Sequence, residues 1–297
     1  MKRIHNIRPG GKSTLIVYFD TNAFRDFAEN RNRATEQRIT LLRKSISKEQ
    51  IAIAPSFEVF EELMSVLKLD TERSKRFCKL YDSLVGWDHC LKPMDEILAD
   101  DITNYANNGK ASCPFNPVDE SSQFIQSIRA SQYVLPPDLL KNLIDKASHQ
   151  KNDFIRNVLN VSERFKPKTG TKASKKKEYE QEFRSFWEPG GYAEKLAEML
   201  VRDNKKLTEI QSRGLTGLIE LPTIRLAVGY ILHSKYKQVA DGAIPKESDA
   251  YDFRHVVIAG AVGNIVTSDT KLTNAINHIP DHNIKIWSLE KFIAQLS

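Results

Sequence analysis

An unbroken apolar run near the start of the chain, Leu15 to Phe19, stops abruptly at a carboxylate, Asp20. The run is rich in β-branched and aromatic residues, which is typical of a strand buried on both faces of a parallel sheet. Asp20 then falls at the carboxyl end of a buried strand, where open α/β sheets place their ligands. Capping of the following helix is an alternative role for Asp20, and this stretch alone leaves both roles open.

The same design recurs near the other end of the chain, where the apolar run Ile265–Thr267 is followed by Asp269. Further short strands are predicted at Ile51–Ala54 and Ile284–Trp287, with helical patterns between them. Asp20 and Asp269, at the ends of two parallel strands, would lie side by side at one edge of the sheet. The predicted fold class is therefore α/β, with a central parallel sheet.

A helix predicted to begin near Ser248 carries two more acids close to this strand. Asp249 and Asp252 are three residues apart and share a helical face within the first turn. Asp249 also suits the helix dipole as an ordinary first-turn acid. Val256 continues the face of Asp252 towards the core, so Asp252 is the stronger candidate. His255 lies near that face, and three roles remain open for it: a partner of the acids, a phosphate contact or a satisfied core histidine.

The helix predicted from Ser56 to about Lys68 carries three glutamates. On a helical wheel, Glu58 and Glu62 lie nearly opposite the apolar face, and we expect both to be solvated. Glu61 lies at the edge of the apolar face. It is therefore the glutamate expected to reach inward over the sheet.

Carboxylates crowded at one strand edge repel each other, so some of them would be driven to neutralise. A bound divalent cation removes that penalty, and an all-oxygen site without a cysteine or histidine cage suits Mg²⁺ or Mn²⁺. Such ions activate a water and stabilise the leaving oxygen of an in-line displacement, so the predicted reaction is hydrolysis of a phosphodiester. The predicted catalytic residues and metal ligands are Asp20, Glu61, Asp252 and Asp269, with Asp249 as an additional ligand.

The middle of the chain, residues 107–215, shows helical patches but no clear strand signal. Within it, a lysine-rich run between Glu163 and Glu182 is predicted to be an exposed, mobile loop. Aromatic residues flank this run, and basic residues beside aromatics can bind single-stranded nucleic acid by charge and stacking. The alternative is a solvated loop whose aromatics pack a helix. The formal net charge of +6 is only a mild indication of a polyanionic partner.

Four places together resemble a PIN-domain protein: Val17 to Asn22, the strand-to-helix segment from Ile51 to Leu63, Asp249 to His255, and Ile265 to Asp269. The resemblance covers residues 14–106 and 216–290. It implies a Rossmann-like three-layer fold and metal-dependent ribonuclease activity on single strands. The predicted division is an N-terminal part of the PIN-like domain at 14–106, a helical insertion at 107–215, and a C-terminal part at 216–297.

By position, the resemblance assigns Asp20 and Asp269 as the first and last acids and Asp252 as the third. The second acid is ambiguous, because the spacing and the helical wheel favour Glu61 whereas the Glu-Leu dipeptide favours Glu62. The implied cofactor is Mg²⁺ or Mn²⁺. The predicted nucleic-acid contacts are Asn22, His255, Lys172, Lys175, Lys176 and Lys177.

RNA, single-stranded or structured, is the predicted substrate, with DNA as an alternative because the same metal chemistry serves both backbones. Many small PIN-domain proteins are toxins neutralised by a partner protein. A protein inhibitor and a homodimer are therefore open for this chain, although its long insertion departs from the compact toxin pattern. The second hypothesis is a catalytically weak or inactive PIN-like protein that binds nucleic acid. A Rossmann-type nucleotide binder ranks last, because no G-x-G-x-x-G follows the first strand.

The composition, with 40% hydrophobic and 28% charged residues, is that of a soluble globular protein. Three cysteines without metal-type spacing fit a reducing compartment. The apolar runs at Leu15 and at Val256–Val262 are too short to span a bilayer, and no signal-peptide core follows Lys2 and Arg3. We therefore expect a cytoplasmic protein with no membrane partner.

Overall fold

The computed structural model describes residues 14–29, 33–65, 71–85, 90–116, 165–244 and 246–296, and scattered positions between 125 and 158. Among these residues a four-stranded sheet lies at the centre, and all its pairings are parallel. The strands are β1 (Leu15–Phe19), β2 (Ile51–Ile53), β3 (Asn264–Val266) and β4 (Lys285–Trp287), in the spatial order β2-β1-β3-β4. The predicted α/β class with a central parallel sheet is confirmed.

Helices fill the described connections in the first part of the chain. Two of them, α1 (Thr21–Glu29) and α2 (Arg33–Ser47), join β1 to β2. The helices after β2 are α3 (Phe57–Ser65), α4 (Thr71–Leu84) and α5 (Met94–Asn108). A helix break is predicted near Asn30–Asn32 and an end of α3 near Lys68, and both positions lie outside the described residues.

The middle of the chain is mostly helical where it is described. The helices with described bounds in residues 107–215 and directly after them are α6 (Lys172–Ser185), α7 (Tyr192–Met199), α8 (Asn204–Arg213), α9 (Leu215–Ile219) and α10 (Pro222–Asp241). The prediction of a loop between Glu163 and Glu182 is therefore wrong for the second half of that stretch, which belongs to α6. The Thr171 hydroxyl caps α6 by accepting the Ser174 N–H at 3.2 Å, and Tyr179 and Phe183 are buried along the helix.

The last part of the chain supplies α11 (Glu247–Val262), α12 (Thr270–His278) and α13 (Leu289–Ala294). Lys246, rather than the predicted Ser248, stands at the N-cap of α11. Gly263, with a φ of 80°, ends α11 in the left-handed conformation that glycine tolerates best. The chain then turns directly into β3.

Helices lie on both faces of the sheet. Successive side chains of a strand point to opposite faces. Tyr18 of β1 hydrogen-bonds to His255 of α11, whereas the next residue, Phe19, packs edge-on against Phe292 of α13 with ring centroids 5.5 Å apart. Helices α11 and α13 therefore lie on opposite sides of β1, which gives three layers.

The helical middle segment shares one hydrophobic core with the sheet. Helix α10 packs on α11, and the contact is close at Gly260, where an added Cβ would lie 2.9 Å from the Pro222 carbonyl oxygen. From α6, Phe183 reaches Tyr236 of α10, with ring centroids 5.8 Å apart. Across the described residues, no helix has both the length and the apolar character that a bilayer crossing requires.

Candidate functional site

The carboxyl ends of β1 and β3 bring Asp20 and Asp269 to the same edge of the sheet. Asp20 is 1% exposed, and its Oδ2 accepts a hydrogen bond from the Thr267 hydroxyl, which follows β3. The oxygen of that hydroxyl accepts the backbone N–H of Asp269 at 2.9 Å. Asn22 donates its Nδ2 to Asp269 Oδ2 at 3.3 Å. One threonine and one asparagine therefore connect the two strand-end acids.

Both aspartates also cap helices, which is the alternative role that the sequence leaves open. Asp20 Oδ1 accepts the N–H of Ala23 at 2.9 Å, in the first turn of α1. Asp269 Oδ1 accepts the N–H groups of Lys271 and Leu272 at 2.7 and 2.9 Å. Each cap uses only one of the two carboxylate oxygens, so capping does not exclude a role at the site.

The environment of Asp20 disfavours a bare negative charge. Burial raises the pKa of Asp20 to about 6, although the charge of His255, the Thr267 hydroxyl and the Ala23 N–H all oppose the shift. Such a carboxylate gains most from a nearby cation or from a proton. A buried, perturbed acid at a ligand-binding edge is a typical feature of a functional site.

Glu62 reaches the same edge from α3. Its Oε2 accepts the Thr21 hydroxyl at 2.6 Å and lies 2.8 Å from His255 Nε2. Burial alone would raise the pKa of Glu62, but the hydrogen bond and charge of His255, and the Thr21 hydroxyl, lower it overall. The expectation that Glu62 is solvated is wrong, since its side chain is only 17% exposed.

His255 lies between Glu62 of α3 and Tyr18 of β1 and contacts both. The Tyr18 hydroxyl lies 2.5 Å from His255 Nδ1, and both residues are buried. In the neutral imidazole the Tyr18 hydroxyl donates to Nδ1, and the ring proton lies on Nε2 and points to Glu62. Burial lowers the pKa of His255, but Glu62 and Asp20 raise it overall, and the protonated ring donates from both nitrogens, to Tyr18 and to Glu62. These contacts fit two of the three roles left open for His255, a partner of the acids and a satisfied core histidine, and both ring nitrogens are already taken up by protein groups.

Glu61 and Glu58 face a buried arginine instead. The Arg254 Nη2 donates to Glu61 Oε2 at 2.5 Å and lies 3.8 Å from Glu58 Oε1. Glu58, expected to be solvated, is 2% exposed and also accepts the Met94 N–H at 2.7 Å. The reason is that α11 packs against α3, so the polar side of α3 is interior. In this arrangement Glu62, not Glu61, reaches the neighbours of Asp20.

Asp249 and Asp252 both face Lys271. The Lys271 ammonium hydrogen-bonds to Asp249 Oδ1 and lies 3.2 Å from Asp252 Oδ2. The Tyr230 hydroxyl donates to the same Asp252 oxygen at 3.3 Å. Burial raises the pKa of Asp252, while Lys271 opposes the rise and Asp269 adds to it. Asp252, which the PIN resemblance assigns as the third acid, is thus already paired with a cation of the chain itself, Lys271.

The donor chemistry of the site suits Mg²⁺ or Mn²⁺, but the arrangement does not. In the described part of the chain, no three His, Cys, Asp or Glu side chains are placed to hold one ion. Lys271 is paired with Asp249 and Asp252, and Arg254 is paired with Glu61. The ligand set predicted from the sequence therefore does not fit a single ion in this conformation.

The predicted lysine contacts lie on α6, which packs on α10. Lys172, Lys176 and Lys177 are exposed and Lys175 is half-buried, and Lys176 Nζ lies 3.3 Å from Asp241 Oδ1. The neighbouring aromatics Phe165, Tyr179 and Phe183 are buried. They pack the helix, as in the alternative interpretation, and are not available to stack on bases.

Several residues of the site were missed in the sequence. Thr21 and Thr267 lie within the strand-end motifs, and a hydroxyl residue next to or near each strand-end aspartate was an available signal. Tyr18 gave no such signal, because it stands within the apolar run of β1, where a tyrosine cannot be told from a purely apolar residue. Lys271 gave none either, because its partners are about twenty residues away along the chain.

The fold and these contacts define an α/β protein with an acidic cluster at the carboxyl edge of a parallel sheet. Comparison of the chain with known protein families, with curated proteins and with solved structures gave no match. The function is therefore argued from the geometry of the cluster.

Proposed function

We propose that this chain is a PIN-like endoribonuclease that hydrolyses phosphodiester bonds and depends on Mg²⁺ or Mn²⁺. The observation that carries the proposal is the placement of Asp20. It is a buried carboxylate at the end of the central strand, tied through Thr267 to the strand that precedes Asp269. Ligands of open α/β sheets bind at this edge.

Glu62 is the proposed second acid, because it reaches the edge next to Asp20 whereas Glu61 pairs with Arg254. His255 holds Glu62 in place from the side of the sheet. These carboxylates supply the negative charge of the edge. In this arrangement no three described His, Cys, Asp or Glu side chains converge on one ion, so the metal dependence in this proposal rests on the resemblance and is tested by the chelator in the assay.

RNA is the proposed substrate, with DNA as the alternative, and a cytoplasmic location is part of the proposal. The exposed lysines of α6 would add to a general attraction for polyanions. They lie on a different element from the acids. Their contribution is therefore expected in affinity rather than in the chemical step.

The test is a cleavage assay on mixed single-stranded RNA and DNA, with Mn²⁺, with Mg²⁺ and with chelator. We expect metal-stimulated cleavage of RNA and a loss of at least about a hundredfold in Asp20→Asn, equal to roughly 3 kcal/mol of barrier. Asp203→Asn, the same change at the exposed N-cap of α8, is the control and should cleave normally. Undiminished cleavage by folded Asp20→Asn would reject the assignment.

A second comparison separates the two glutamates. Glu62→Gln should slow cleavage far more than it lowers stability, because it changes the edge next to Asp20. Glu61→Gln should mainly lower stability, since it leaves the buried Arg254 without its closest carboxylate. Equal cleavage by wild type and Glu62→Gln would return Glu61 to consideration.

A second candidate function is a nucleic-acid-binding protein on an inactive PIN-like scaffold. The pairing of Lys271 with two of the predicted acids favours it, because an internal cation lowers the affinity of the site for a metal. The same assay decides between the two functions. Retained RNA binding without metal-stimulated turnover would select the inactive binder.

A further inference from the structure

The geometry points to Lys271 as a cation built into the site, whose ammonium takes the place of a divalent ion between Asp249 and Asp252. This inference deepens the proposed nuclease function, and its catalytic meaning rests on that function. The site would then bind a metal, if at all, only on the side of Asp20 and Asp269.

The first argument is that the two carboxylates are held in place without the lysine. Asp249 Oδ2 accepts the backbone N–H of Lys246 at 2.8 Å, at the start of α11. Asp252 Oδ2 accepts the Tyr230 hydroxyl from α10 at 3.3 Å. The side chains of Asp249 and Asp252 are only 12% and 14% exposed. Two fixed, poorly hydrated carboxylates on one helical face require a counter-charge.

The second argument is that the lysine is held on the side of Asp269. The Lys271 backbone N–H donates to Asp269 Oδ1 at 2.7 Å, in the first turn of α12. Its side chain reaches Asp249 and Asp252 on α11. One residue therefore links the last acid of the edge to the acidic turn of α11, which an ordinary surface ion pair does not do.

The third argument is chemical competition. A divalent ion at this position would compete with the ammonium for the oxygens that it now contacts, Asp249 Oδ1 and Asp252 Oδ2. The Lys271 side chain is 56% exposed, so the ammonium also faces the solvent from which a phosphate would arrive. An ammonium carries three donors, and two carboxylates leave one for a phosphate oxygen. In a nuclease, the lysine would supply a fixed positive charge beside the phosphate.

The experiment measures Mn²⁺ binding directly, by titration with electron paramagnetic resonance of the free ion. Lys271→Met keeps most of the length of the unbranched side chain and removes its charge. We expect this variant to bind Mn²⁺ about tenfold more tightly than wild type, or to bind one further ion per chain. Mn²⁺ should also raise its melting temperature more than that of wild type, because the ion restores the counter-charge.

Two controls fix the cause. Lys205→Met removes the same charge from an exposed position on α8 and should bind Mn²⁺ as wild type does. Adding Asp252→Asn to Lys271→Met should erase the gain. If the methionine variant does not fold, Lys271→Gln is measured instead. Mn²⁺ binding unchanged in the folded variant, or an equal gain in Lys205→Met, overturns the inference.

The outcome is separable from that of the proposed function. If the wild type cleaves no nucleic acid but Lys271→Met gains Mn²⁺ affinity, the nuclease proposal fails and the assignment of Lys271 stands. If the wild type cleaves RNA with Mn²⁺ and Lys271→Met gains nothing, the nuclease stands and the assignment of Lys271 fails.

Discussion

Adjacent residues of the central strand place different demands on their surroundings. Val17 is fully buried and needs only apolar contacts. Tyr18 is equally buried, but its hydroxyl must find a partner, and it finds His255 Nδ1. This contact fixes the imidazole so that its other nitrogen faces Glu62. The position of Glu62 at the edge is therefore linked, through His255, to the Tyr18 hydroxyl between β1 and α11.

Tyr18→Phe keeps the ring and removes that hydroxyl. His255 Nδ1 is then left buried without its partner, which should cost about 1–3 kcal/mol of unfolding free energy. Urea denaturation with chelator present measures the change. The control is Tyr251→Phe on α11, a half-buried residue whose ring lies against Arg254. We expect it to remain within about 0.5 kcal/mol of wild type. Equal stability of Tyr18→Phe and wild type would contradict the argument.

At this scale, the sequence predicts the acids at strand ends better than those on helices. An apolar run that stops at a carboxylate places Asp20 and Asp269 without further information. The choice among the glutamates of α3 depends on which element covers its polar side. Helix α11, almost two hundred residues later, supplies that cover together with Arg254. A helical wheel of α3 does not contain this information.

At the scale of elements, two half-buried histidines lie at the junction of α6, α10 and α12. His233 of α10 and His278 of α12 have ring centroids 5.0 Å apart, and Tyr236 stacks on His278 at 4.8 Å. The buried Nδ1 of His233 has no hydrogen-bond partner among the described residues. Burial lowers the pKa of His233 to about 3. The charges of His278, Lys237 and Lys271 add to the shift, and Asp241 opposes it.

This junction should weaken in acid. The folded-state pKa of His233 lies below its ordinary 6.5, so the unfolded chain binds more protons between these values. The contribution of neutral His233 to stability is complete above pH 6.5 and is lost as the pH falls towards 3. Between about pH 7.5 and about pH 5, wild type should lose up to roughly 2 kcal/mol more than His233→Phe, which cannot be protonated.

Urea denaturation of both proteins at the two pH values measures this difference. Every other titrating group is common to the pair, including Asp20, whose raised pKa changes stability in the opposite direction. Because His278 lies beside His233, with ring centroids 5.0 Å apart, the subtraction reports His233 together with its electrostatic interaction with His278. Equal losses in the two proteins would show that the histidine is not responsible.

Helix α6 shows why one element escaped prediction. Its lysines, with a proline and a glycine shortly before them, have the composition of a loop. Thr171 nevertheless has a hydroxyl suited to an N-cap, and Tyr179 and Phe183 are spaced four apart on one helical face. The decisive energy comes from burying those two rings against other elements. Local composition does not report that burial.

At the scale of the whole molecule, one core joins the sheet to the helical middle segment. Phe183→Ala removes a side chain that is 1% exposed and should cost about 3–5 kcal/mol. Because the core is shared, we expect amide protection from hydrogen exchange to fall in β1 and β3 as well as in α6. Ile244→Ala, at a side chain that is 78% exposed, is the control and should change neither. Protection lost in α6 alone would mean that the segment unfolds as a separate unit.

The pairing of β1 with β3 also sets how late in synthesis the edge that carries Asp20 and Asp269 can form. Asn264 Nδ2 donates to the Ile16 carbonyl, across 248 positions of chain. A ribosome adding about 5–20 residues per second needs on the order of ten to fifty seconds to span that gap. Throughout this time the nascent polypeptide has Asp20 but not Asp269. Any cleavage that requires both is therefore postponed until Asp269 has been synthesised.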